Sequence, residues 1–351
     1  MIRLKISSNK LVWILGVIVV IALAACAPEA AVIDVPPTET AIETEVPTVT
    51  EAAITPTTPV TPSTVLLVSG DDIEPHLWMQ TQSTLARLAE ESGLDLVNVH
   101  GLTPDTLTPA VKVVVGVGQT LDLNTFASNA PNITFVALGD PNAVVTDNLS
   151  VIGDPVLEVQ QQAFMAGYVS ALIASDSKIA ALVAEESAYR DFVTESYVAG
   201  ARFFCGLCQP LFPPYNPFPQ WETLPVASRE NGFTPTVDRF AIMDVEVVYV
   251  QGELLSPELL TYLDAEGMKV VSDRTPDVVR RNWIGTIAAD PTSALEALWP
   301  DLQSGAPGRQ VSSDLVLIDR EMGLVSEGRY RLFADTLADL RAGLVSVGIT
   351  P

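Results

Sequence analysis

The chain has 351 residues, of which 48% are hydrophobic, and its 43 acidic and 19 basic residues give a formal net charge of −24. So acidic a surface repels phosphate backbones and anionic lipid headgroups, and no nucleic acid partner is expected. A simpler role of the charge is to keep an exported protein soluble. The length beyond the N-terminal segments is enough for one large or two modest domains.

Residues 1–25 have the pattern of a bacterial lipoprotein signal peptide. A basic segment, residues 1–10, precedes an apolar run over residues 11–25. The run ends in Leu23-Ala24-Ala25-Cys26, which resembles the lipobox that lipoprotein signal peptidase cuts. The alternative is an uncleaved anchor, but the run is shorter than the roughly 20 residues that span a bilayer. Palmitate-type acylation of Cys26 is therefore expected to hold the protein on the outer face of the cytoplasmic membrane.

Residues 26–63 are typical of an extended spacer. They are rich in Pro, Thr, Ala and Glu, and they contain no aromatic residue, Lys or Arg. Repeated prolines and charge of one sign favour polyproline-like conformations over a packed core. At about 3.1 Å per residue the spacer reaches at most on the order of 100 Å. We expect it to hold a globular part clear of the envelope surface.

From residue 64 onward, short apolar segments rich in β-branched residues alternate with helix-like segments. Strands are predicted at residues 64–69, 95–99, 111–117, 133–138, 178–183, 246–250, 268–271, 283–287 and 314–318. Helices are predicted at residues 77–91, 156–174, 189–203, 257–266, 293–302 and 330–341. This alternation predicts parallel sheets with helices on both faces. The proline-rich interruption at 209–235 favours two sheets rather than one.

Five motifs follow one another in a fixed order. They are Val113-Val114-Val115-Gly116-Val117-Gly118, Asn132-Ile133-Thr134-Phe135-Val136-Ala137-Leu138-Gly139-Asp140, Gln162-Ala163-Phe164-Met165-Ala166-Gly167-Tyr168-Val169-Ser170-Ala171-Leu172, Ser177-Lys178-Ile179-Ala180 and Ala199-Gly200-Ala201-Arg202. This order resembles the basic membrane protein family, the purine-nucleoside-receptor type of substrate-binding lipoproteins that serve ABC importers. The resemblance is strongest over residues 111–203 and weak beyond residue 300.

The resemblance implies a type I periplasmic-binding-protein fold, an α/β fold in which two Rossmann-like lobes enclose a ligand cleft. Lobe 1 is expected at 64–154 and lobe 2 at 155–280, while 281–351 returns to lobe 1 and supplies C-terminal crossover elements. The implied function is to bind a small polar ligand, with a nucleoside as one candidate, for an ABC permease. Independently, ligands of open α/β sheets bind beyond the carboxyl ends of the strands. Gln119, two residues after a predicted strand, and Gln251, directly after another, are therefore candidate ligand contacts.

Other candidate ligand residues stand at positions of the family's motifs. Asp71-Asp72 matches a pair of aspartates in the family. Trp78 matches an aromatic residue that stacks on the base, and Gln80 matches the glutamine of that same motif. Asp140 and Asp273 match aspartates that follow strands. Carboxylates accept hydrogen bonds from sugar hydroxyls, and an aromatic face stacks on a base. The alternative is that an aspartate after a strand caps a helix or shapes a turn.

The sequence also departs from the family pattern. Met79 replaces an asparagine beside the aromatic residue, Gln119 replaces a phenylalanine, and the lysine expected near 283–289 is absent. The identity of the ligand therefore stays open. A second function also stays open, that of a lipid-anchored sensory or interaction protein that kept the fold and lost the ligand.

Cys205 and Cys208 form a C-G-L-C pair. In an oxidising extracytoplasmic compartment such a close pair predicts a local disulfide. A redox motif would open a helix, but the proline-rich residues 209–214 that follow cannot continue one. Redox catalysis and metal binding remain alternatives.

No enzyme, cofactor or metal site is expected. The only histidines, His76 and His100, are not in an H-E-x-x-H motif. Ser175-Asp176-Ser177-Lys178 matches S-x-x-K but lacks the S-D-N and K-T-G partner motifs of penicillin-binding enzymes. Gly116 and Gly118 lack the third glycine of a dinucleotide fingerprint. A hydrolase-like enzyme is the weakest of the alternatives.

Overall fold

The computed structural model describes residues 63–71 and 73–348. The expected signal peptide, Cys26, the expected spacer up to residue 62 and Asp72 lie outside the described residues. In the described part of the chain, no helix has both the length and the apolar character needed to cross a membrane.

The described residues form twelve strands and eight α-helices. The strands are β1 (Thr64–Ser69), β2 (Asp95–His100), β3 (Val111–Val117), β4 (Thr134–Leu138), β5 (Leu149–Ile152), β6 (Ile179–Ala184), β7 (Gln220–Leu224), β8 (Val247–Val250), β9 (Lys269–Ser272), β10 (Trp283–Asp290), β11 (Gln310–Val311) and β12 (Asp314–Ile318). The helices are α1 (Pro75–Glu91), α2 (Leu123–Asn129), α3 (Pro155–Ile173), α4 (Arg190–Cys205), α5 (Thr234–Ile242), α6 (Pro257–Ala265), α7 (Thr292–Ser304) and α8 (Glu327–Arg341).

The strands build two six-stranded sheets. The first has the order β11-β5-β4-β3-β1-β2, and the second has the order β12-β10-β9-β8-β6-β7. Neighbouring strands of these sheets are parallel, except that β12 is antiparallel to β10. We call the first sheet with α1, α2 and α7 the first lobe, and the second sheet with the other helices the second lobe.

The chain passes between the two lobes three times: from β5 into α3, from β10 into α7, and from β11 into β12. The segment 281–351 therefore contributes to both lobes. Its strands β10 and β12 and helix α8 belong to the second lobe, whereas α7 and β11 belong to the first.

The central strands are buried on both faces. All six residues of β6 are buried. Ala181 and Val183 face one apolar cluster of the second lobe, while Leu182 and Ala184 face the other. Side chains of a strand alternate between the two faces of a sheet, so an uninterrupted apolar run fits a strand covered by helices on both sides. This is the pattern from which the strands are predicted.

Two glycines allow α3 and α4 to pack unusually close together. A Cβ atom on Gly167 would lie 2.0 Å from the Tyr197 carbonyl oxygen, and one on Gly200 would lie 1.8 Å from the Phe164 carbonyl oxygen. Both distances are far below van der Waals contact, so only glycine fits at these positions. The Phe-Met-Ala-Gly-Tyr motif and the later Ala-Gly-Ala-Arg motif therefore meet in space as a helix-packing contact.

The predicted disulfide between Cys205 and Cys208 is present, with the two Cα atoms 5.7 Å apart. Cys205 is the last residue of α4, and Cys208 lies in the loop that follows. The same loop exposes apolar side chains, including Leu207 at 92% exposure and Leu211 at 76%. The bridge thus closes the end of α4 beside an apolar surface.

Candidate ligand-binding site

Gln251, a predicted ligand contact after β8, is buried and bonded to the protein itself. Its Oε1 accepts a hydrogen bond from the Ala184 backbone N–H at 2.9 Å. Its Nε2 donates to Ser187 Oγ at 3.1 Å and to Glu253 Oε1 at 3.3 Å. The side chain therefore joins the carboxyl ends of β6 and β8 and positions the loops there.

Asp273 has a similar position after β9. Its Oδ2 accepts from the Tyr249 hydroxyl at 3.0 Å, and its Oδ1 accepts from the Gly252 backbone N–H at 2.6 Å. Burial raises the pKa of Asp273, although both hydrogen bonds favour the charged form. The carboxylate thus ties the end of β9 to β8 and to the loop that follows β8.

These loops form the wall of a pocket of about 630 Å³. Its lining residues come after β7, after β8 and after β9, and from the start of α6. The charged lining residues are Arg229, Glu230, Glu253, Glu258, Arg274, Asp277 and Arg280. The volume lies within the range of about 300–1,000 Å³ that is usual for small-molecule sites. Its place at the carboxyl ends of parallel strands is the one expected for a ligand site in an open α/β sheet.

In the first lobe, Asp71 and Gln119 are exposed at the carboxyl ends of β1 and β3. Asp71 Oδ1 lies 3.9 Å from Nε2 of His100, and its backbone N–H donates to Thr120 Oγ1 at 3.2 Å. Gln80 is partly exposed on α1. These side chains are accessible, as a ligand contact requires.

Asp140 and Trp78 both contact other parts of the first lobe: Asp140 forms a hydrogen bond in a turn, and Trp78 packs against the core. Asp140 is buried, and its Oδ1 accepts from the Asn142 backbone N–H at 2.9 Å. This bond to the residue two positions ahead is an Asx turn, which favours the turn alternative for Asp140. Trp78 is half-buried and packs against the apolar core of the first lobe.

The predicted residues thus divide between two sheet edges. Asp71, Gln119 and Asp140 follow strands of the first sheet, while Gln251 and Asp273 follow strands of the second. Among the described residues, the side-chain hydrogen bonds of these groups stay within their own lobe.

Sequence reasoning missed two arginines of the pocket, Arg229 and Arg280. Arg229 follows β7, a strand hidden inside the proline-rich interruption, so no strand end pointed to it. Arg280 lies several residues beyond β9, outside the positions that directly follow a strand. Neither position directly follows a predicted strand, so the rule that singles out strand ends could not find these two arginines.

The S-x-x-K motif has a structural role. Ser175 Oγ donates to Glu246 at 2.7 Å, and the Lys178 Nζ lies 3.1 Å from Asp176 and 2.9 Å from Asp244. The bond to Asp244 raises the pKa of Lys178, which is opposite to what a general base requires. In the part of the chain that the structure describes, no group of three or more His, Cys, Asp and Glu side chains could hold a metal ion.

No protein-family model matches this sequence, and no curated protein matches it. Solved structures do resemble it. A transcriptional activator of the comK gene from Bacillus halodurans superposes with a TM-score of 0.55 at 11% identity, covering 79% of this chain and 97% of that chain. The arabinose-binding protein AraP from Geobacillus stearothermophilus superposes with a TM-score of 0.53 at 12% identity, covering 74% of this chain and 98% of that chain.

Identities this low carry information about the fold alone. Both superpositions extend over nearly the whole of the other chain, so they include both lobes and the connections between them. Together with the two parallel sheets and the three crossings, they confirm the predicted fold. The chain has the type I periplasmic-binding-protein fold.

Proposed function

We propose that this protein is a lipid-anchored extracytoplasmic solute-binding protein of an ABC importer, and that it binds a small polar molecule. The observation that carries the proposal is the polar pocket at the carboxyl ends of the second-lobe strands, in a fold whose lobes are joined by three crossings. Lobes connected in this way can close on a ligand by hinge motion. AraP, whose fold is similar, is described as an arabinose-binding protein.

The partners follow from this function. A solute-binding protein delivers its ligand to a permease, and a lipid on Cys26 would keep it near that permease. The acidic spacer would then allow the lobes to reach the membrane protein. We propose no catalytic activity, and the two structurally similar proteins are described as a binding protein and a transcriptional activator.

Replacing Cys26 by serine is expected to prevent lipidation, because the hydroxyl is a poor substitute for the thiol that accepts the lipid. The full-length Cys26→Ser protein should leave the membrane fraction or accumulate unprocessed. Fractionation followed by intact-mass measurement tests this, with Cys208→Ser as a control that should stay membrane-bound. Unchanged mass and unchanged membrane association of Cys26→Ser would exclude the anchor.

Solute binding is tested most directly by mass spectrometry of small molecules released when the purified protein is denatured. A calorimetric panel of sugars, nucleosides and small acids then gives the affinity. We expect one solute to bind with a stoichiometry of one per chain. If nothing is released and no panel member binds, the solute-binding function is excluded.

Trp78 distinguishes a nucleoside from other solutes. If the ligand carries a base that stacks on this ring, Trp78→Ala should weaken binding by about 1–3 kcal/mol, the scale of base–aromatic stacking. Trp221→Ala removes a half-exposed indole from β7 of the second lobe and is the matched control. Equal nucleoside affinity in wild type and Trp78→Ala would place the base elsewhere.

One observation favours the second candidate, a lipid-anchored sensory or interaction protein. Beside the disulfide, Leu207, Leu211, Phe212 and Tyr215 are all strongly exposed. Contiguous exposed apolar side chains often mark a protein contact surface. This function becomes the better one if the release and binding experiments find no solute.

A further inference from the structure

The pocket of the second lobe brings three arginines together in a chain that has few basic residues. The chain has 19 basic residues against 43 acidic ones, yet Arg229, Arg274 and Arg280 all line this pocket. Guanidinium groups match carboxylate and phosphate oxygens in geometry and charge. Three arginines at one cavity give an anion charged hydrogen-bond donors that are scarce elsewhere in this acidic chain.

Arg280 and its neighbour Arg281 have opposite surroundings. Arg281 points outward, is 81% exposed and pairs with Asp264 at 3.0 Å. Arg280 lines the pocket, forms no ion pair with a described carboxylate, and donates from Nη2 to the Pro257 carbonyl oxygen at 3.3 Å. Its Nε is buried and has no hydrogen-bond partner among the described residues.

A hydrogen bond to its backbone holds Arg229 beside the start of α6, which Arg280 also contacts. Its carbonyl oxygen accepts a hydrogen bond from the Ser256 hydroxyl, and Ser256 is the N-cap of α6. Arg280 bonds to Pro257, the next residue. Both arginines are therefore anchored to the start of α6, and neither guanidinium forms an ion pair with a described carboxylate.

The acidic lining residues give the rest of the ligand's chemistry. Glu230, Glu253, Glu258 and Asp277 line the same pocket, where their oxygens can accept hydrogen bonds from hydroxyl or amino groups. With three arginines and four carboxylates the lining is close to neutral. It contains no aromatic side chain, so it offers no stacking surface to a nucleobase.

We propose that this pocket binds a small acid whose carboxylate or phosphate is held by Arg229 and Arg280 and whose hydroxyl or amino groups bond to the acidic lining residues. This inference rests on the proposed solute-binding function and specifies its substrate class. The ligand that we propose is therefore not a neutral nucleoside. It is an anionic molecule that also carries hydroxyl or amino groups, such as a sugar acid, a sugar phosphate or an amino acid.

The test is calorimetric titration of the full-length protein in detergent with gluconate, glucose 6-phosphate, glutamate, inorganic phosphate, glucose and adenosine. We expect an anionic probe to bind and glucose and adenosine to bind more weakly or not at all. Gluconate and glucose 6-phosphate separate a carboxylate from a phosphate as the recognised group. Arg280→Gln should lower the affinity for the anionic probe at least tenfold. Arg229→Gln should also lower this affinity.

Arg281→Gln is the matched control, because it removes the adjacent guanidinium without touching the pocket, and it should bind as wild type does. Thermal unfolding of each variant separates lost binding from lost folding. If glucose or adenosine binds and Arg280→Gln and Arg229→Gln leave its affinity unchanged, the anion inference is wrong while the solute-binding function stands. If no probe binds and the released solutes are all uncharged, the inference is also wrong. If no solute is released and no probe or panel member binds, both proposals fall.

Discussion

Gly200→Ala is expected to destabilise the protein by about 3 kcal/mol or more, which is the upper range for overpacking a core. The new Cβ would lie 1.8 Å from the Phe164 carbonyl oxygen and 2.7 Å from its carbonyl carbon. These are backbone atoms of α3, so no side-chain rotation relieves the clash. The two helices must separate, which opens the contact in which Gly167 also meets the Tyr197 carbonyl oxygen.

The measurement is urea denaturation followed by circular dichroism. Gly328→Ala is the matched control, because Gly328 lies near the start of α8 and its added methyl group would have no neighbour within 4 Å. That variant should be neutral or stabilised by about 0.5–1 kcal/mol, since alanine favours helix more than glycine does. A loss below about 1 kcal/mol in Gly200→Ala would contradict the close packing of α3 and α4.

A second large effect is expected from pH: raising it from about 5 to 8 should destabilise the folded protein through Glu158 by about 3 kcal/mol. Burial raises the pKa of Glu158 from 4.5 to about 7, against the lowering effect of the hydrogen bond from the Ser313 hydroxyl. The nearby Asp154 raises the pKa further. Between pH 4.5 and about 7, Glu158 is protonated in the folded state and ionised in the unfolded state. The free energy of unfolding therefore decreases as the pH rises through this window.

Glu158 lies where the chain connects the two lobes. Glu158 is in the first turn of α3, directly after the first crossing, and Ser313 lies in the third crossing between β11 and β12. The carboxyl group thus joins two of the three connections between the lobes. Its ionisation introduces a charge where the lobes are linked.

Glu158→Gln should remove this component of the pH dependence, because the amide keeps an oxygen that can accept from Ser313 and carries no charge. The unfolding free energies of wild type and Glu158→Gln are compared by urea denaturation from pH 4.5 to 8. The difference between the two isolates Glu158 from Asp273, whose pKa is also raised by burial. Glu90→Gln, an exposed change on α1, is the control. Parallel curves for wild type and Glu158→Gln would contradict the expectation.

Much of the fold could be predicted from local sequence. The bounds of β1, β3 and β12 coincide with their predicted ranges, and β6 is displaced by one residue. Buried strands of a parallel sheet must be apolar on both faces, so they appear as short continuous apolar runs. The helix α3 was predicted to within one residue at each end, and its start at Pro155 after the N-cap Asp154 follows the common chemistry of helix N-termini.

Elements that depend on distant partners were missed. The strand β7 has the sequence QWETL, which has no continuous apolar run, and it pairs through its backbone with β6. The two-residue strand β11 exists only because it lies beside β5. Neither segment carries in itself a strong preference for strand, and both are specified by the neighbouring strand that supplies their hydrogen bonds.

The sequence by itself determined the two α/β sheets and the carboxyl ends at which a ligand site should lie, and the lipobox and the spacer stay predictions from sequence. Only the tertiary structure decided which polar side chains at those ends are free to meet a ligand. Gln251 follows its strand as a ligand contact would, yet its side chain is occupied by Ala184, Ser187 and Glu253. Arg280 and Arg281 are identical and adjacent, yet one lines a pocket and the other pairs with Asp264. The physical reason is that the partners of a side chain come from segments distant in the chain, and local sequence carries no record of them.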